Sequence, residues 1–434
     1  MRIPPQAPGL SRRRVLGVLC GLAFGAGCGT SPTGNAPAPA TIEAIPPTAS
    51  GRTAQIDAVL ASAVERNDVV GVVALAIDTH GVTYRGAFGT ADEAGGEPIG
   101  PDAVFRIASM TKPVTSVAAM QLVERGAIAL DEPAARYLPD LAEVQVLERF
   151  DAERGTYELR SPASPITLRQ LLTHTAGFGY PFSSDTLRDF QPRPEDADVV
   201  GPLLFDPGTS WWYGTSTDWT GRLVEAVSGQ RLDEYFTDHI FDPLHMFDTG
   251  FNVPEADWPR TVVPAQRQAD GALVHGPRSD PAPVTAFSGG GGLWSTAADY
   301  GRFMQMWLNG GSLDGRQVLS AETVAAMSSN HVGALAAGSI VSALPDMSND
   351  FTPTAPGRGR FGLGFLINLD DQPGRRAAGS LAWAGIYNTY FWIDPTSGVA
   401  GVILTQVLPF ADSRVLTVFE TFERSVYAGV AEPR

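Results

Sequence analysis

The sequence predicts an α/β fold in which one antiparallel sheet is built from both ends of the chain and a helical region is inserted between them. Three observations predict it. Two β-rich runs lie near the start of the periodic part, three more lie near its end, and the apolar spacing in between is helical. In chain order, Ile56, Val59, Leu60 and Val64 recur at helical spacing, as on an amphipathic helix. Val69 to Ile77 and Val82 to Phe88 flank Asp78-Thr79-His80-Gly81, which reads as a hairpin. Val114, Val117, Ala118 and Leu122 mark a helix that ends near Gly126. Tyr300, Phe303, Met304, Trp307 and Leu308 mark another, capped by Ser295-Thr296. Phe361 to Leu369, Tyr387 to Ile393 and Val399 to Val407 read as strands, the last two joined by the turn Asp394 to Gly398. Val415, Val418, Phe419, Phe422 and Val426 line a final helix.

Composition narrows the functional classes. Of 434 residues, 44% are hydrophobic and 18% charged, enough apolar content for a sizeable core. The formal charge is −16, and the first 28 residues hold four Arg and no acid, so the remainder carries about −20. Such a body repels nucleic acid and anionic membrane surfaces. Both cysteines, Cys20 and Cys28, fall in the first 28 residues, so the body holds neither a disulfide framework nor a Cys-based metal site. The six histidines show no zinc-like spacing, and no metal or cofactor is expected.

The chain divides into three parts. Residues 1–28 read as an export signal: Arg12-Arg13-Arg14 precede an apolar run from Val15 to Gly27 that is too short to span a bilayer. The paired arginines suggest the twin-arginine type. Gly25-Ala26-Gly27-Cys28 is similar to a bacterial lipoprotein box, with Gly25 where Leu is usual, so Cys28 is a candidate lipid anchor to the membrane. Residues 29–50, rich in Pro, Ala, Thr, Ser and Gly, read as a flexible linker. Residues 51–434 form the folded domain. Nothing in the sequence sets an oligomeric state.

The chemistry rests on one pair. Of 31 basic residues, 30 are Arg and one is Lys, and that lysine, Lys112, follows Ser109 by three positions. At that spacing the two side chains share a helical face. A serine hydroxyl is a weak nucleophile until a base takes its proton. Lysine can be that base and arginine cannot, because arginine does not deprotonate. By chance, a serine would sit three before a sole lysine about one time in fifteen. The G-x-S-x-G elbow of the α/β-hydrolases is absent, and Gly289 to Gly292 has no nucleotide-binding form.

Phe105 to Lys112 resembles the nucleophile segment of the serine β-lactamase and penicillin-binding superfamily. Leu171 to Phe178, and Gly289 to Leu293 with Ser295-Thr296 and Asp299, are similar to stretches of its class C-like branch, above all the family VIII carboxylesterases. The resemblance covers nearly all of residues 53–428. It implies the β-lactamase/transpeptidase-like fold with an inserted all-helical region. It implies Tyr213, opening Tyr213-Gly214-Thr215, as partner of Lys112 in moving the Ser109 proton, with Thr215 where the family often has Asn. It also implies that Trp383-Ala384-Gly385 is the strand element next to the site. The backbone N–H groups of Ser109 and Ile386 would then form the oxyanion hole, and Gly385 would allow close approach to substrate. Trp383 replaces a lysine that holds carboxylates in β-lactamases, which favours a small neutral ester or amide as partner. The expected reaction is hydrolysis of carboxylic esters through an acyl-enzyme. The alternatives are a β-lactamase or D,D-peptidase on the same residues, or an envelope binding protein without turnover.

Overall fold

The computed structural model describes residues 50–92, 96–193, 196, 202–278 and 280–428. The expected export signal, Cys28 and nearly all of the linker lie outside them. Helix α1, Ser50–Glu65, opens the described chain and buries Ile56 and Leu60. Strands β1, Gly71–Asp78, and β2, Gly81–Gly89, form the expected hairpin.

At the far end come β3, Gly359–Phe361, and β4, Leu366–Asn368. They are followed by β5, Leu381–Gly385, β6, Thr389–Asp394, and β7, Val399–Leu404. The sheet order is β3-β4-β5-β6-β7-β1-β2, antiparallel throughout, so the first hairpin closes against the last long strand. Val73 pairs with Leu404 and Ile77 with Ala400. Residues 71–77 of β1 are all buried, as a strand covered on both faces requires.

Helices cover both faces. Helix α5, Ser413–Tyr427, lays Phe419 and Phe422 on Tyr390 and Trp392. Gly401 lets the Trp392 indole lie across β7, since a Cβ there would be 2.2 Å from the ring. On the other face, helix α4, Ala297–Leu308, packs Tyr300 against Phe391. Thr296 caps α4 by accepting the Asp299 N–H.

Between β2 and β3 lies the inserted region. Its centre is α2, Thr111–Glu124, in which every residue from Thr111 to Leu122 is buried. A helix buried all round must satisfy its polar side chains internally. Thr115 Oγ1 donates to the Gly289 carbonyl at 2.7 Å, and Ser116 Oγ to the Lys112 carbonyl at 2.9 Å. Helix α3, Ser216–Ser228, packs on it. The insertion also carries a hairpin, Val146–Asp151 with Thr156–Arg160, so it is helix-rich rather than wholly helical.

Two expected strands are broken. Phe361 to Leu369 is divided between β3 and β4 by a turn in which Gly364 has φ +106°, a conformation open mainly to glycine. Val399 to Val407 stops at Leu404, and Val407-Leu408 pairs instead with Ala265-Gln266. The third, Tyr387 to Ile393, begins two residues late, because Asn388 turns at φ +59° before β6.

Candidate active site

Ser109 sits in the short 3₁₀ turn Ala108–Met110 that leads into α2. Ala108, just before it, has φ +44°, a backbone strain held by the packing around it. Lys112 lies in the first turn of α2, and its side chain returns toward the helix start. The three-residue spacing therefore closes: Lys112 Nζ lies 3.3 Å from Ser109 Oγ. The amino group is buried, 1% exposed, and donates also to the Gly290 carbonyl at 2.6 Å and to the Tyr180 hydroxyl at 3.2 Å. Three acceptors match the three hydrogens of an ammonium.

Tyr213 stands in the segment before α3. Its ring centroid is 4.7 Å from Lys112 Nζ. Its hydroxyl accepts the Trp383 indole N–H at 3.3 Å. The hydroxyl that meets the lysine is that of Tyr180, which the sequence reading missed. A signal was present, since Tyr180 comes two residues after the Leu171 to Phe178 stretch. Burial pushes the Tyr180 phenol well above its ordinary value, and the Asp218 carboxylate adds to the shift.

His174, from the same stretch, is buried between Trp211, Tyr213 and Phe361, with its backbone at φ +57°. Burial, then the nearby Lys112 charge, holds its imidazole well below the usual range. It packs as a neutral ring against the tyrosine. Among the described residues, no cluster of His, Cys, Asp or Glu is placed to hold a metal ion.

The sheet supplies the opposite wall. Trp383, Gly385 and Ile386 line one cleft together with Ser109 and Tyr213. Gly385 also has a steric role within the fold. A Cβ there would lie 2.4 Å from the Ile107 carbonyl oxygen and 2.3 Å from Thr389 Oγ1. Its close approach is to the residue that leads into the Ser109 turn, and that contact sets Ile386 beside Ser109. The rest of the cleft is apolar, with Phe182, Ile340, Phe351 and Phe410 along it and no charged side chain among its lining residues.

A half-buried serine beside a buried lysine at the start of a central helix, facing the end of strand β5 of the antiparallel sheet, defines a serine hydrolase or acyltransferase. The chain belongs to the Beta-lactamase family, whose model matches residues 56–420. It is 32% identical over 401 residues to monacolin J acid methylbutanoyltransferase from Aspergillus terreus, covering 84% of this chain and 93% of that one. It is likewise 32% identical over 395 residues to lovastatin esterase from Penicillium rubens, covering 86% and 98%. Among solved structures, unliganded simvastatin synthase from Aspergillus terreus superposes with a TM-score of 0.75 at 29% identity, covering 88% of this chain and 100% of that one. The hydrolase EstCE1 shares the fold, with a TM-score of 0.68 at 23% identity over 87% of this chain and 98% of that one.

Proposed function

We propose that this protein cleaves small neutral carboxylic esters through an acyl-enzyme on Ser109. The observation that carries the reading is the Lys112–Ser109 contact of 3.3 Å at the floor of a cleft without charged lining. Lys112 takes the Ser109 proton as Oγ attacks the ester carbonyl, assisted by Tyr213 beside it. The backbone N–H groups of Ser109 and Ile386 receive the developing oxyanion. The alcohol leaves with the proton from the Lys112–Tyr213 side. Water, or a second alcohol, then accepts the acyl group. The names of the relatives, an esterase and acyltransferases, support either acceptor.

Trp383 supports esters over lactams. Where a lysine would hold a carboxylate, the indole packs tilted against Tyr213 at 4.9 Å and edge-on against Phe361 at 5.4 Å. No lysine other than Lys112 exists in the chain to replace it. The test compares nitrocefin with short-chain p-nitrophenyl esters, together with a fluorophosphonate label mapped by mass spectrometry. Ester turnover far above lactam turnover, with the label on Ser109, is expected. Lactam turnover comparable with ester turnover refutes the substrate class, and a label elsewhere refutes the nucleophile.

The reading includes location. The basic and apolar segments of residues 1–28 support export to the periplasm, cell envelope or medium, with Cys28 as the lipid attachment site and residues 29–50 as the tether.

A further inference from the structure

A cation buried to 1% exposure needs a compensating charge or a complete set of acceptors. Among the described residues, Lys112 has no direct ion pair; its hydrogen-bond partners are Ser109, Tyr180 and Gly290, all neutral. Following those partners outward leads to one carboxylate by two routes. Gly290 accepts from Lys112 through its carbonyl, and its own N–H donates to Asp218 Oδ1 at 3.1 Å. Tyr180 accepts from Lys112, and its phenol lies within electrostatic reach of the Asp218 carboxylate.

Asp218 is itself anchored. It lies in the first turn of α3, and its Oδ1 also accepts the Ser288 hydroxyl at 2.5 Å. A Cβ on Gly290 would lie 2.3 Å from Asp218 Oδ2, so a larger residue there would push the carboxylate out of place. Thr115 holds the next carbonyl, that of Gly289, from α2. Residues 288–290 are thus a strap between α2 and α3, gripped by the lysine on one side and the aspartate on the other.

We propose that Asp218 is the remote counter-ion of the Ser109–Lys112 pair, a positioning residue that aims the Lys112 amino group through Gly290 and Tyr180 and sets the pH at which the pair becomes competent. The inference rests on the reading of Lys112 as the base for Ser109. The other groups that face Lys112 are Tyr213, which presents its ring, and His174, whose imidazole burial holds well below its usual range. Withdrawing the one nearby negative charge favours the neutral form of a cation.

The experiment is the pH profile of kcat/KM on p-nitrophenyl acetate for wild type and Asp218→Asn, with thermal melting beside it. Asparagine keeps an oxygen for Gly290 and Ser288 and removes only the charge. The acid limb is expected to move to lower pH by about one unit, the order expected for one charge at this separation. A purely structural role would lower activity equally at all pH and leave the limb in place. An unmoved limb therefore overturns the proposal. If Asp218→Asn fails to fold, Tyr180→Phe, which cuts one of the two routes, must show a smaller shift in the same direction, and no shift overturns the proposal. Lys112→Met separates the two readings. If it is inactive while the limb of Asp218→Asn stays put, only the role of Asp218 falls; if it is active, the base assignment falls and this inference with it.

Discussion

Replacing Lys112 by methionine is the most direct perturbation of the proposed mechanism. Methionine is unbranched and apolar and fits the channel that the lysine stem occupies in α2. The change deletes the contact at 3.3 Å to Ser109 and the donors to Gly290 and Tyr180. A positioned general base contributes about 10²- to 10⁴-fold, or roughly 3–5 kcal/mol of barrier. Acylation by Lys112→Met should therefore fall by at least a hundredfold. Stability should change far less. The Gly290 carbonyl loses its donor at about 1–3 kcal/mol, while the penalty for burying an ammonium disappears. Lys112→Arg is the companion variant. It keeps the charge, but it forces a planar head into a site only 1% exposed, at about 1–3 kcal/mol of overpacking. Single-turnover acylation with p-nitrophenyl acetate, with thermal melting as the folding control, reads both. A folded Lys112→Met protein that acylates within tenfold of wild type would show that Lys112 is not the base. Activity retained by Lys112→Arg alone would show that the site needs a cation and not a proton acceptor.

Other expectations follow from single contacts. Gly385→Ala places a methyl 2.4 Å from the Ile107 carbonyl, so β5 must shift; turnover should drop more than tenfold and the melting temperature should fall, and an unchanged kcat/KM would remove Ile386 from the oxyanion site. Asp299 is buried beneath Thr249 and Asp248, and burial raises its carboxyl from the ordinary 3.8 to about 7. The folded protein therefore keeps a proton that the unfolded chain releases, so this contribution is complete below about pH 4 and lost as pH rises through 7, by about 4 kcal/mol. Urea titrations of wild type and Asp299→Asn should diverge over that window, with the variant flatter, and parallel curves would contradict it. Mass spectrometry of the mature N-terminus should find residues 1–27 removed and Cys28 acylated; a mature chain that still begins at Met1 would contradict export, and a cleaved chain with bare Cys28 only the anchor.

The proposed nucleophile and its base were legible in the sequence because their geometry is local. Ser109 and Lys112 are three apart at a helix start, and the helix alone brings them together. The hairpin of β1 and β2, α4, α5 and the antiparallel sheet closed by both termini were legible for the same reason, since period and turn chemistry are carried by neighbouring residues. Breaks within strands were not. Leu404 ends β7 because Thr405 turns its hydroxyl to the carbonyls of Tyr387 and Asn388, contacts 18 and 17 residues away in sequence.

What only the tertiary structure decided is which groups surround the pair. The hydroxyl on Lys112 belongs to Tyr180, 68 residues away, and the carbonyl to Gly290, 178 residues away. Tyr213 presents its ring to the lysine and its oxygen to Trp383, 170 residues distant. Gly385 lets β5 approach the Ile107 carbonyl. Each of these contacts joins segments that meet only when α2, α3 and the sheet pack around one buried charge. Spacing along the chain carries no trace of them, because the charge is compensated through space by whichever neutral dipoles and remote carboxylate the packing brings within reach.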